Sequence, residues 1–170
     1  MEKSIKYWIF KTKLGYFGVV GNGDGLLRTY LPCADKEEIE RQILKAFPPA
    51  RPEKKPFEAV SKAVLEYFGG EKVDFRGIKV VIDDLKPFAR KVLIACRGTG
   101  FGKVITYQRL AEKIGRPGAA RAVGTVMSKN PLPLIIPCHR VIRSDGKPGG
   151  FSAPGGIKTK RKLLALENKR

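Results

Sequence analysis

Histidine occurs once in this chain of 170 residues, and cysteine three times. One histidine cannot complete a zinc set and no Cys-x-x-Cys pair is present, so neither a metal nor any other cofactor is expected. The cysteines, Cys33, Cys96 and Cys138, are scattered and odd in number. That excludes a disulfide framework and points to a reducing compartment. No apolar run approaches the roughly 20 residues of a membrane span. No amphipathic helix offers exposed large apolar residues for insertion into an anionic membrane either, so no membrane partner is expected. The opening Met1-Glu2-Lys3-Ser4-Ile5-Lys6-Tyr7 is interrupted by charge at once and does not read as a secretory signal. A cytoplasmic location is expected, or a nuclear one in a eukaryote. Internal repeats and low-complexity tracts are missing as well.

Acid is the other scarcity, and it is local. The formal net charge is +18. Residues 1–86 hold 16 Lys and Arg against 13 Asp and Glu, whereas residues 87–170 hold 18 against three. A lysine-rich solvated surface is the ordinary reading of a basic chain. An excess confined to one half, with acids almost gone from it, instead suggests that this half binds a polyanion.

What is there divides at the same place. Ile5 to Lys11, Leu14 to Val20 and Gly25 to Leu31 read as strands, with Asn22-Gly23-Asp24-Gly25 as turn chemistry. Ile39, Ile43, Leu44 and Phe47 then recur at helical spacing, and Phe57, Val60, Val64, Leu65 and Phe68 form a second stripe stopped by Gly69-Gly70. Ile78 to Ile82 is a further strand candidate. The expectation is an α+β protein: a small N-terminal α/β domain with an antiparallel sheet over 1–85, and a second domain over 86–170. That second domain begins with a helix from Pro87 to about Cys96, with Phe88, Val92 and Leu93 inward. Thr106 is placed to cap a helix over Tyr107 to Ile114, Gly115 to stop it, and Pro117 to start the next. Two short helices joined by a tight turn make a helix-turn-helix candidate. On the helix from Pro117 to Ser128, Ala119, Val123, Val126 and Met127 share one side, and Arg121, Gly124, Thr125 and Ser128 the other. One arginine among small residues suits a face pressed close to a nucleic-acid groove.

The chemistry concentrates in Asn130-Pro131-Leu132-Pro133-Leu134-Ile135-Ile136-Pro137-Cys138-His139-Arg140-Val141. Cys138 ends an apolar run, abuts the only histidine, and is expected to be partly buried. Cys33 and Cys96 read as inert core thiols, but His139 and Arg140 offer Cys138 a base or a positive field for thiolate character. A catalytic imidazole needs an orienting group, and the basic half has three acids to offer. Glu112 falls on a polar helix side and Asp145 in a turn. Glu167 shares a broad face with Ile157, Lys160, Leu163 and Leu164, where a carboxylate is costly unless paired, so it is the expected third member. Asn130 is placed to tie backbone groups. Tyr107 is either a core tyrosine or a hydroxyl donor at a pocket rim.

Three segments in order, Ile105-Thr106-Tyr107-Gln108-Arg109-Leu110-Ala111, Ala120-Arg121-Ala122-Val123-Gly124 and Asn130-Pro131 through Val141, resemble the O6-alkylguanine-DNA alkyltransferase family. The resemblance implies a winged helix-turn-helix-like second domain and repair of double-stranded DNA containing O6-alkylguanine. The alkyl group would move irreversibly to the protein's own cysteine, in a single turnover, by one chain acting as a monomer. It further implies that Cys138, His139 and Glu167 form an activating chain with a water between thiol and imidazole, and that Asn130 supports the hinge between the recognition helix and the active-site loop. Tyr107 would help extrude the nucleotide and contact its base edge. Ala120, Arg121, Gly124, Thr125 and Ser128 would face DNA from the minor groove, Arg121 filling the gap in the stack. Val141, Phe151 and Ser152 would join Tyr107 around the flipped base. Many members carry a tyrosine where Phe151 stands, so one hydroxyl contact is lost here, and Ala153 is expected to narrow the pocket against bulky alkyl groups. Two other classes compete: a winged-helix DNA-binding protein without chemistry, which leaves the Cys138-His139-Glu167 grouping unexplained, and a Cys-His thiol hydrolase, which leaves Arg121 and the basic half unexplained.

Overall fold

A computed structural model describes residues 3–168. The chain divides into two compact units, one ending at Val81 and the other starting at Ile82.

The first unit is built on three strands in meander: β1 (Lys6–Thr12), β2 (Gly15–Asn22) and β3 (Gly25–Cys33). Adjacent strands pair antiparallel, with register shifts between β2 and β3 on either side of Gly18–Val20. Helix α1 (Lys36–Ala46) starts on Asp35, whose carboxylate accepts from Glu37 N–H. A two-residue strand, β4 (Arg51–Pro52), pairs parallel to β1 and gives the sheet order β3-β2-β1-β4. Helix α2 (Glu58–Phe68) follows.

Because β2 reads apolar without alternation, it is buried on both faces from Phe17 to Gly21. Ile39 and Ile43 of α1 join Tyr7, Ile9, Val20 and Ala50 in one cluster, while Phe17, Phe68, Tyr67 and Phe75 form a chain of ring contacts in another. Two stripe residues fall outside the core: Leu44 and Leu65 are exposed. Each sits about 100° round the helix from a fully buried neighbour, Ile43 and Val64. The strand expected over 78–82 does not form. Leu26 accepts there from Val81 N–H and donates to the Lys79 carbonyl, and among the described residues the segment makes one parallel bridge, between Leu26 and Val80.

The second unit is helical, with one short parallel ribbon. Helix α3 (Pro87–Arg97) carries proline in its first turn and buries Val92, Leu93 and Cys96. After the loop through Gly102 come β5 (Ile105–Thr106) and α4 (Tyr107–Lys113), capped by Thr106 Oγ1 accepting from Arg109 N–H at 3.1 Å. Gly115 ends α4 at φ 73°, the left-handed conformation of a helix stop. The next helix starts later than Pro117: α5 spans Ala120–Ser128. Pro117-Gly118 instead forms the turn closed by Ala119 N–H on the Arg116 carbonyl at 2.9 Å, the position at which Pro-Gly favours a β-turn. A single 3-10 turn (Cys138–Arg140) leads into β6 (Val141–Ile142), parallel to β5, and α6 (Ile157–Glu167) closes the unit. Among the described residues no helix is long and apolar enough to cross a membrane.

Candidate active site

Asn130 organises the approach to Cys138. Its side-chain amide donates to the Ile136 carbonyl at 2.9 Å, and its Oδ1 accepts from Leu132 N–H at 3.0 Å. One side chain therefore pins both ends of the apolar run, whose Leu132, Leu134, Ile135 and Ile136 are buried. The tightness of the loop shows at Leu134, a non-glycine residue at φ 75°, a conformation that costs about 1–3 kcal/mol and persists only where surrounding packing imposes it.

The Cys138–Arg140 turn directs its side chains differently. Cys138, 5% exposed, lines a cavity of about 1180 Å³. His139, wholly buried, has Nε2 2.6 Å from Glu167 Oε1. Arg140 also turns inward. Its Nε donates to Glu167 Oε2 at 2.9 Å and its Nη2 to Oε1 at 2.9 Å. Nη1 reaches the Thr99 carbonyl at 2.5 Å. Gly102 N–H completes the shell of Glu167 by donating to Oε2 at 3.0 Å. Burial alone would raise the Glu167 carboxyl. The hydrogen bonds and charges of His139 and Arg140 overcome it and bring the group down to about 2.

Lys160 is fully buried on the inward face of α6. Its ammonium donates to the Val141 carbonyl at 2.6 Å and the Tyr107 hydroxyl at 3.3 Å, with the Gly150 carbonyl at 3.5 Å. It also lies 5.6 Å from the Tyr107 ring centre and 5.9 Å from that of Phe151. Burial brings this lysine down to about 8. Burial pushes the Cys138 thiol up, against the opposing pull of the Asn130 hydrogen bond, the Lys160 charge and two backbone N–H groups. The resting group is thus a thiol, not the thiolate that its neighbours in sequence suggest. Burial is the main cause, and the guanidinium of Arg140 does not offset it because it is paired with Glu167.

The cavity wall comes from α4 through Tyr107 and Gln108, and from α5 through Ala120, Arg121, Gly124, Met127 and Ser128. The loop after β6 contributes Arg143 to Asp145 and Lys147 to Ser152, and α6 adds Ile157 and Arg161. The loop is held at two points. Ser152 Oγ donates to the Ser128 carbonyl at 2.8 Å. Gly149, at φ 77°, lies so close to Tyr107 that a Cβ there would stand 3.0 Å from its hydroxyl oxygen.

The family description "6-O-methylguanine DNA methyltransferase, DNA binding domain" matches residues 87–169, and "6-O-methylguanine DNA methyltransferase, ribonuclease-like domain" matches residues 5–82. The chain belongs to the 6-O-methylguanine DNA methyltransferase family. It is 35% identical over 164 residues to the methylated-DNA–protein-cysteine methyltransferase of Sulfolobus acidocaldarius, covering 96% of this chain and 93% of that one. It is similar in structure to the O6-methylguanine methyltransferase of Mycobacterium tuberculosis, with TM-score 0.79, 30% identity, and 98% and 94% of the two chains covered. A crystal structure of the Mycobacterium tuberculosis protein in complex with DNA aligns with TM-score 0.78 at 30% identity, over 96% and 92% of the chains.

In this methyltransferase-family chain, most of the residues expected at the site meet there. Tyr107, Ala120, Arg121, Gly124, Ser128, Cys138, Phe151 and Ser152 line the cavity, and His139 and Glu167 are in contact with each other. Four expectations differ. Val141 is fully buried away from the cavity, and its carbonyl receives Lys160. Thr125 faces a separate hollow of about 480 Å³ beside Ala122 and Val126, its hydroxyl donating to the Arg121 carbonyl at 3.2 Å. Ala153 stands outside the cavity lining, whereas Ile157, expected inward, is exposed and lines it. Arg140, expected to act on Cys138, pairs with Glu167 instead, and Lys160 and Gly149 stand at the site without having been singled out for it. The signal for Lys160 was its place on the apolar stripe of the last helix. Among the described residues no three His, Cys, Asp or Glu side chains gather as a metal-binding group.

Proposed function

We propose that Cys138 accepts an alkyl group from guanine O6 in double-stranded DNA, once per molecule, after the damaged nucleotide has turned out of the helix into the cavity described above. The activity follows from the family: the chain is a methylated-DNA–protein-cysteine methyltransferase that serves DNA repair. The observation that carries the assignment of the acceptor is that Cys138 alone of the three cysteines lines the cavity, next in sequence to His139, whose ring meets Glu167.

The chemistry runs on the chain's own groups. The Cys138 sulfur attacks the saturated carbon, the S–C bond forms as the C–O6 bond breaks, and the bonding pair leaves with guanine. The thiol proton passes through a water to His139, which Glu167 orients, and from there returns to the leaving base. Tyr107, whose oxygen accepts from Lys160, keeps its own proton for the edge of the base, where negative charge develops. The product is a thioether with no leaving group, so the protein does not turn over.

Arg121 stands on the exposed side of α5 and on the cavity wall at once. It enters from the minor groove and fills the space that the extruded nucleotide leaves; Ala120, Gly124 and Ser128 allow close approach. One chain holds every group the step uses and acts as a monomer. Three free thiols suit the reducing cytoplasm, or the nucleus of a eukaryote.

The test is an oligonucleotide duplex bearing one O6-methylguanine. One methyl group per chain, located on the Cys138 peptide by mass spectrometry and absent in Cys138→Ala although that variant still binds DNA, is the expected result. Repeated turnover, or methyl on Cys33 or Cys96, overturns the proposal.

A further inference from the structure

We infer that Arg140 is a positioning residue that fixes the resting proton state of the site: by neutralising Glu167 it keeps His139 an uncharged imidazole with its proton on Nε2. The inference rests on the reading in which His139 serves Cys138, and it reaches a residue that this reading leaves without a part.

Four groups converge on one carboxylate. Gly102 N–H and Arg140 Nε donate to Oε2, and Arg140 Nη2 and His139 Nε2 meet Oε1. An ionised carboxylate only accepts, so the nitrogen 2.6 Å away must be the one bearing hydrogen. That leaves Nδ1 as the accepting nitrogen of the ring. The guanidinium fork is itself fixed, by the Thr99 carbonyl at 2.5 Å and by the Phe101 ring with its centre 6.0 Å away.

Charge balance decides the rest. Arg140 and Glu167 are both buried and cancel one another. An imidazolium would add a third, uncompensated charge to this dry region. The other groups around it do not relieve that excess. Lys160 of α6 is a second cation, and Cys138 of the same turn, Cys96 of α3 and Tyr107 of α4 are all pushed up by burial and stay neutral. Burial, with Arg140 and Lys160 behind it, accordingly holds His139 below its ordinary value despite the pull of Glu167. Remove the guanidinium, and Glu167 becomes free to stabilise an imidazolium instead.

Because His139 is the single histidine, its ring is read directly in a nitrogen-15 NMR spectrum of the full chain. Wild type should show the neutral Nε2–H form at pH 7, and Arg140→Lys should keep it. In Arg140→Met the ring should titrate at least one pH unit higher, and the acid limb of the methyl-transfer rate should move with it. An imidazolium in wild type at pH 7, or a folded Arg140→Met with the wild-type ring spectrum, overturns the inference. If Arg140→Met does not fold, the wild-type and Arg140→Lys spectra still decide: neutral rings in both support the assignment, and a charged ring in wild type or a changed tautomer in the lysine variant defeats it. Failure of methyl transfer to Cys138 would sink the functional reading but leave the ring spectrum in place, so the two are separable.

Discussion

The ammonium of Lys160 donates to the hydroxyl of Tyr107 across 3.3 Å, so the cation acts on the cavity through the phenol. A hydroxyl that accepts from an ammonium turns its own hydrogen the other way. Lys160→Met should therefore slow single-turnover transfer from O6-methylguanine duplex by roughly tenfold or more, the scale of one charge-assisted hydrogen bond. Tyr107→Phe should do the same. Because the two residues act in series, the double variant should lose little beyond either single one, which a double-mutant cycle on the transfer rate checks.

Stability should fall on the acid side in two stages. His139 is held below its ordinary 6.5 in the fold, so the unfolded chain protonates first and stability declines as pH drops below that value. Glu167 is lowered from 4.5 to about 2, so its contribution is complete above 4.5 and is lost as pH falls from there toward 2. Urea midpoints measured between pH 8 and pH 3 should show both declines. Glu167→Gln should start less stable and lose the lower one.

Gly149 and Gly150 are neighbours with opposite tolerances. A Cβ on Gly149 meets the Tyr107 hydroxyl oxygen at 3.0 Å from a left-handed backbone, whereas one on Gly150 meets nothing within 4 Å. Gly149→Ala should cost about 1 kcal/mol or more and slow transfer; Gly150→Ala should leave both within error. Thermal melts and transfer rates of the pair separate backbone strain from simple loop dilution.

Arg121→Ala should slow transfer from duplex DNA by roughly tenfold or more while leaving attack on free O6-methylguanine base unchanged, because the free base needs no extrusion. Equal losses on both substrates would remove Arg121 from the flipping step. Binding of either form to duplex should weaken steeply as salt rises, since a half-chain with 18 Lys and Arg against three acids releases counterions when it docks.

A feature is legible in the sequence where its signal is local. The Thr106 cap and the Gly115 stop are decided within one helical turn, and both stand where the residue types put them. Glu167 was legible because an acid among leucines is anomalous unless paired. Arg140 was not, since its partner lies 27 residues away and an arginine after a histidine looks like a source of field for the sulfur. Lys160 hid for a related reason: a lysine on an apolar stripe ordinarily runs its stem along the core and its charge out to water, and only the tertiary arrangement of Val141, Gly150 and Tyr107 gives that charge partners inside. The 78–82 segment looked like a strand by composition, but a strand needs a neighbour with free backbone along its length, and composition does not report one.

The double tether of Asn130 on Leu132 and Ile136 has one more implication. The bracket ties the loop that delivers the nucleophile at two places before Cys138. With the sulfur's approach so braced, the rate at which a lesion is found and corrected should follow how readily the surrounding base pairs open.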